Sequence, residues 1–221
     1  MSFDQPLPPF NASDPSASFL STSCLDFLMI ELVPMAYRVA NELDDSASPS
    51  SPSLSPPAAD APETSSNAAT ATGTATGAGS RRLDEDEERD AVFYRLETLG
   101  YRVGLGLVER FSRDRPRFND TLDAIKFICK DLWMLVFKKQ VDNLKTNHRG
   151  VYVLTDNAFR PLARMSADAG GRAVVRAQPF LWFPCGILRG ALSAMGIAAT
   201  VQAETSELPG AIFQIKTTPS K

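Results

Sequence analysis

Residues 119–157 read NDTLDAIKFICKDLWMLVFKKQVDNLKTNHRGVYVLTDN. Asn119 is a residue type that caps helices. Leu122, Ile125, Phe127, Ile128, Cys129, Leu132, Trp133, Leu135, Val136 and Phe137 then leave almost no polar side, so the spacing predicts one buried helix. Lys138 and Lys139 would suit the dipole of its last turn. A turn at Asn147 to Gly150 follows, and the run Val151, Tyr152, Val153, Leu154 stops at Asp156-Asn157. A β-branched and aromatic run between turn residues predicts a strand, so a core helix feeds a strand.

Downstream, residues 159–176 are mixed, with Gly170-Gly171 as a turn, and QPFLWFPCGILRGALSAMGI (residues 178–197) predicts a last helix. Pro184 fits its first turns and Gly196 its end. Two short β-type runs, Ala198 to Glu204 and Ala211 to Thr217, flank SELPG, a hairpin connection. With the strands on either side of His148 this makes a four-stranded, largely antiparallel sheet. Helices mostly precede strands, so the expected class is α+β, with helices covering one sheet face.

Upstream, a first helix is expected over residues 19–44, with Ser23 and Asp26 as a capping box. Leu25, Leu28, Met29, Leu32, Ala36, Val39, Ala40 and Leu43 follow at helical spacing, and Phe27, Ile30 and Tyr37 add a second apolar edge. Pro34 removes one backbone bond and predicts a kink. Two apolar sides on a terminal helix exceed what one core needs, which points to cover by another chain or to deeper burial within this one. A second helix starts in the acidic block DEDEERD, Asp84 to Asp90, and carries Val92, Leu96, Leu99, Val103, Leu107 and Phe111 on one stripe. Gly100, Gly104 and Gly106 would each cost that helix about 1 kcal/mol relative to Ala. Gly100 and Gly104 lie one turn apart on one side, the signature of a close helix approach. A phosphate-binding glycine loop is a poor match, because the third glycine and the preceding strand are missing.

Between the first two helices, residues 45–83 are rich in Ser, Pro, Ala, Thr and Gly, with almost no large apolar side chain. Such a segment cannot bury enough surface to offset its ordering entropy, so a disordered insertion is expected there, as is a disordered stretch over residues 1–18. The folded domain then comprises residues 19–44 and 84–221. Net charge is −3, which gives no global reason to expect a nucleic-acid partner. Residues 95–150 hold twelve Lys/Arg against seven Asp/Glu, a mildly basic face whose ordinary reading is solvated charge. Cys24, Cys129 and Cys185 form no Cys-x-x-Cys pair and fall in apolar helical stretches, as reduced core thiols of a cytosolic chain would. No signal-type leader and no long apolar span is seen, so a soluble chain is expected.

Catalytic chemistry is thinly represented. His148 is the only histidine and sits in a turn with no nucleophile motif beside it. Cys129 and Cys185 occupy apolar positions where thiol reactivity falls. Asp123 and Asp131 lie at the edge of the buried helix, and Trp133 and Trp182 read as core residues. No catalytic residue, metal ligand or cofactor is expected, and the residues describe a non-catalytic interaction domain.

Three pieces, LGYRVGLGLVER (99–110), LDAIKFICKDLWMLVFKKQVDNLKTNHRGVYVLTDNAF (122–159) and FLWFPCGILRGALSAMGI (180–197), closely resemble the small-subunit family of the TRAPP vesicle-tethering complex. Within it they look like the subunit-six type, the thirty-three-kilodalton subunit in yeast nomenclature. The resemblance implies an α/β plait, with about four helices on one face of a twisted four-stranded antiparallel sheet. It implies a heterodimer with a subunit-three-type TRAPP protein through the first two helices, at Leu25, Leu28, Met29, Leu32, Leu99, Gly100, Val103, Gly104 and Leu107. It further implies contact with other TRAPP subunits and guanine-nucleotide exchange on an early-secretory Rab GTPase by the assembled complex. Peripheral association with cis-Golgi and endoplasmic-reticulum membranes comes with that role. The loop SRDRPRF (112–118) lacks the cysteine that carries an acyl group in subunit-three relatives, so no covalent lipid is expected. A small-molecule or acyl-chain-binding domain of related fold is the alternative reading, favoured if a dry cavity lies near Cys129 and Phe180.

Overall fold

The computed structural model describes residues 21–47, 84–113, 115–147, 149–166 and 172–218. The expected N-terminal disorder, most of the low-complexity insertion, His148 and Gly170-Gly171 lie outside the described residues.

Helix α1 spans Thr22–Ala47 and continues through Pro34, ending three residues past the expected boundary at residue 44. Its cap lies ahead of the predicted Ser23–Asp26 box. Ser21 Oγ accepts from the Ser23 amide at 3.3 Å, and the Ser21 carbonyl accepts from Cys24 N–H at 3.0 Å. Asp26 is drawn elsewhere, accepting from Arg160 Nε at 2.7 Å and Arg164 Nη2 at 3.0 Å. Helix α2, Glu85–Phe111, starts in the acidic block as expected. Asp84 accepts from the Glu85 amide at 2.9 Å, and four carboxylates occupy the positive end of the dipole.

The central helix is not one regular helix. It comprises α3 (Thr121–Phe127), a π-helical turn (Ile128–Leu132) and α4 (Trp133–Phe137). It begins after Asp120, whose carbonyl accepts from the Asp123 and Ala124 amides, so Asn119 is not the cap. Within the π turn the Trp133 amide reaches back to the Ile128 carbonyl. That leaves the Cys129 carbonyl to accept from Val141 N–H at 3.1 Å, tying the chain that enters the sheet to the helix it has just left. Lys138 ends α4 in the left-handed region, φ 62°, so the two lysines lie beyond the last turn rather than in it.

Four strands, β1 (Asn143–Thr146), β2 (Val151–Asp156), β3 (Ala199–Glu204) and β4 (Ala211–Thr217), pair antiparallel in the order β1-β2-β4-β3. Tyr152, Leu154 and Asp156 on β2 stand opposite Ile215, Phe213 and Ala211 on β4, and these alternate positions are the buried ones. The helices lie on that face, which bears out the α+β class. At its centre Trp133, Phe137, Phe159 and Phe213 stack with ring centroids 4.5–5.9 Å apart. Asp156 is 1% exposed and fully engaged. It accepts from Trp133 Nε1 at 2.9 Å, Lys139 Nζ at 2.6 Å and the Ala158 amide at 3.1 Å. Lys139 also donates to Asp142 at 2.8 Å, so one ammonium joins the end of α4 to the ends of β1 and β2.

Helix α5 (Arg172–Ala177) and a 3-10 turn (Gln178–Leu181) lead into α6, Trp182–Ala194. Gly196, φ 77°, closes α6 in left-handed geometry, with the Ile197 amide bonding back to the Leu192 carbonyl. Helix α6 crosses α2 at backbone distance. A Cβ at Gly100 would overlap the Phe183 carbonyl oxygen, and one at Gly104 the Ile187 carbonyl oxygen. Reciprocally, a Cβ at Gly186 or Gly190 would overlap the Glu97 or Tyr101 carbonyl oxygen. The helix that Gly100 and Gly104 admit is therefore α6 of the same chain. Arg189 latches the seam through a two-pronged pair with Glu97, Nη2 to Oε2 at 2.6 Å, and stacks over the Tyr101 ring at 4.5 Å.

Gly186→Ala is expected to destabilise the chain by about 1–3 kcal/mol through this overlap, read as a shifted urea midpoint. The acid limb of stability has its own sign. The bond from Arg160 holds the Asp26 carboxyl below its ordinary value, and the bond from Lys139, with the Asn157 amide, does the same for Asp142. A carboxyl depressed by folding stabilises fully above its unfolded value and stops doing so as pH falls through the folded one. Unfolding free energy is therefore expected to decline below about pH 4, and less steeply in Asp142→Asn.

Candidate partner-docking face

Helix α1 buries Leu32, Val33, Ala36 and Ala40 and packs on α2, whose Val92 and Leu96 are also buried. The other flank of α1 is apolar as well and remains exposed at Leu28 (57%), Met35, Val39 and Leu43. On α2, Leu99 (38%) and Val103 (36%) are exposed one turn apart, on a flank different from the one that meets α6. Two neighbouring helices thus carry large apolar side chains into solvent. A soluble chain ordinarily scatters such groups singly, so these rows make the face the candidate site.

Of the nine positions that sequence reasoning assigned to a partner, Leu28, Leu99 and Val103 lie on this face. Leu25, Met29 and Leu107 are half-buried. Leu32 is in the core, and Gly100 and Gly104 are closed off by α6, so these three are corrected from partner contacts to contacts within the chain. Met35 belongs to the exposed row although sequence reasoning passed over it. Its signal was its spacing of seven from Leu28 and four from Val39.

The groups weighed for chemistry are occupied elsewhere. Burial pushes the Cys129 thiol up to about 12, and burial with the nearby Glu97 charge does the same for Cys185. Asp123 pairs with Lys126 at 3.4 Å and Asp131 with Arg115 at 2.7 Å. Trp133 is buried on Asp156, and Trp182 lies beneath Phe93 and Arg89. Among the described residues no three His, Cys, Asp or Glu side chains gather as a metal cluster. A cleft between Leu25, Met29, Val136, Phe137 and Arg160 has a cavity volume of about 20 Å³, and one at Phe111, Phe127 and Leu135 about 40 Å³. Either is room for about a water molecule, far short of an acyl chain. No helix among the described residues is long and apolar enough to cross a membrane.

A family model described as "Transport protein particle (TRAPP) component" matches residues 25–218. The chain belongs to the TRAPP component family. Among curated relatives, trafficking protein particle complex subunit 6b of Danio rerio is 52% identical over 130 residues, covering 59% of this chain and 82% of the relative. Subunit 6B of Homo sapiens is 54% identical over 121 residues, covering 55% and 75%. These matches make this TRAPP component one of the subunit-six type. A crystal structure of subunit 3 from Naegleria fowleri, covalently bound to palmitic acid, superposes with a TM-score of 0.50 at 14% identity, over 59% of this chain and 82% of that one. At that identity it shows the shared fold. As a TRAPP component the chain has other subunits as its partners, and an exposed apolar face is the feature such assembly requires.

Thiol accessibility checks this account of the cysteines. Cys24, expected as a core thiol, is instead exposed, so a thiol reagent at about pH 8 is expected to label it and to spare buried Cys129 and Cys185 until denaturant is added.

Proposed function

We propose that this TRAPP component is a non-catalytic scaffold that heterodimerises with a subunit-three-type TRAPP protein through α1 and α2. In that role it supports guanine-nucleotide exchange by the assembled complex on an early-secretory Rab GTPase, in transport from endoplasmic reticulum to Golgi and at the Golgi. The complex holds it peripherally on those membranes from the cytoplasmic side. The observation that carries this reading is the exposed apolar row on two adjacent helices, Leu28, Met35 and Val39 on α1 with Leu99 and Val103 on α2. Leu25, Met29 and Leu107 support it from half-buried positions. The fold shared with a subunit 3 supports it too, since two chains of one fold present comparable helical faces to each other.

Co-expression with a subunit-three-type partner, followed by mass determination in solution, tests the reading. A stable one-to-one species is expected. Val103→Asp would place an unpaired carboxylate in the contact at a cost of about 3 kcal/mol or more, weakening the complex by at least about a hundredfold while the isolated chain keeps its fold. Undiminished pairing in Val103→Asp would remove the face from consideration.

A further inference from the structure

Eight glycines fall among the described residues, and seven have a reason within the chain. Gly100, Gly104, Gly186 and Gly190 form the α2–α6 crossing, Gly150 and Gly196 have positive φ, and Gly210 sits against the Glu207 carbonyl. Gly106 has neither reason. It lies inside α2, has no positive φ, and a Cβ built on it would meet nothing within 4 Å. A helix-interior glycine is among the poorest helix formers, so the position weakens α2 without easing any contact inside this chain.

Its position on the helix is informative. Leu99, Val103, Gly106 and Arg110 recur at spacings of four, three and four, and all are exposed, as is Arg102 beside them. Gly106 is therefore the gap in the same stripe that presents Leu99 and Val103. The side chains of Arg102 and Arg110 form no hydrogen bond or ion pair among the described residues; Arg113, Arg117, Arg149 and Arg172 are likewise unpaired, but of these six only Arg102 and Arg110 flank Gly106 one turn to either side on α2. Arg110 has the local support of the helix carboxyl end; Arg102, in mid-helix, has none. Glu109 is also exposed and borders the stripe.

We propose that Gly106 is where a helix of the partner subunit closes to backbone contact with α2, and that the partner brings carboxylates to Arg102 and Arg110. The proposal rests on the docking reading above and adds the partner's chemistry to it. Helix axes approach to a distance set by the side chains between them, and a residue with no side chain permits the nearest approach, as the crossing with α6 already shows in this chain. The partner is taken to be a different chain with an acidic helix face, because two copies of this chain crossing at Gly106 would set Arg102 and Arg110 against the same two cations, where like charges oppose association.

The test compares Gly106→Ala and Gly106→Leu with Gly104→Ala and Val103→Asp in the full chain, measuring the thermal midpoint alone and affinity for the subunit-three-type partner. Both Gly106 substitutions are expected to raise the midpoint of the isolated chain by about 2–4 °C, because they improve helix propensity in open space. They are expected to weaken the complex, Gly106→Leu by about tenfold or more. Gly104→Ala should lower the midpoint. Arg102→Glu should weaken the complex and reduce the dependence of affinity on salt. Unchanged affinity in Gly106→Leu with binding still lost in Val103→Asp would overturn the Gly106 contact and leave the docking face standing. Binding retained in Val103→Asp would overturn both. A salt dependence identical in Arg102→Glu would overturn the acidic partner face.

Discussion

Four glycines set the distance between α2 and α6, and much of the chain's geometry follows from that distance. With Gly100 and Gly104 facing Gly186 and Gly190, the two backbones meet without side chains between them. An approach this close fixes the rotation of α2 about its own axis, because a turned helix would bring a Cβ against a carbonyl oxygen. Once the rotation is fixed, Leu96 must point inward and Leu99 and Val103 must point out. The Glu97–Arg189 pair and the Arg189–Tyr101 stack then close one side of the seam. The exposed stripe is thus a product of core geometry as much as of surface composition.

A second constraint sits at the other end of the core. Trp133 fills the space between helix and sheet, and its indole N–H has to find an acceptor there. Asp156 supplies it from β2, and Lys139 supplies the charge that makes a buried carboxylate tolerable. Asp142 shares the same ammonium and is bound by the Asn157 amide. One polar knot therefore orients the aromatic cluster, the exit from α4 and the ends of two strands together.

Much of this was legible in the residues. The change from an all-round apolar run to alternating β-branched residues placed the central helix and β2, and SELPG placed the β3–β4 hairpin. Other features were hidden for physical reasons. The glycines of α2 announced a close helix, yet the identity of that helix needed Gly186 and Gly190, whose own spacing of four is the complementary signal. Asp26 looked like a capping residue because its partner, Arg160, lies far along the chain. Leu28 and Leu32 lie one turn apart on the same apolar stripe of α1, so periodicity alone could not say that Leu32 is covered from within and Leu28 is not until α1 was seen on α2. The π turn left no trace, because residues apolar on every side satisfy either hydrogen-bond pattern.

That π turn bears on how chains of this kind compare with one another. A π turn is equivalent to one residue added to an α-helix, with the downstream half rotated by about 100°. Loss of one residue between Ile128 and Leu132 would restore regular geometry and carry Trp133 off Asp156, Lys139 off its two carboxylates and Cys129 off Val141. The five residues of the turn act as a phase shifter between the half of the helix before it and the half that the sheet reads. Relatives that lack the shift would keep the same hydrophobic pattern yet align one residue out of step beyond it, with the discrepancy invisible until the buried carboxylate is located.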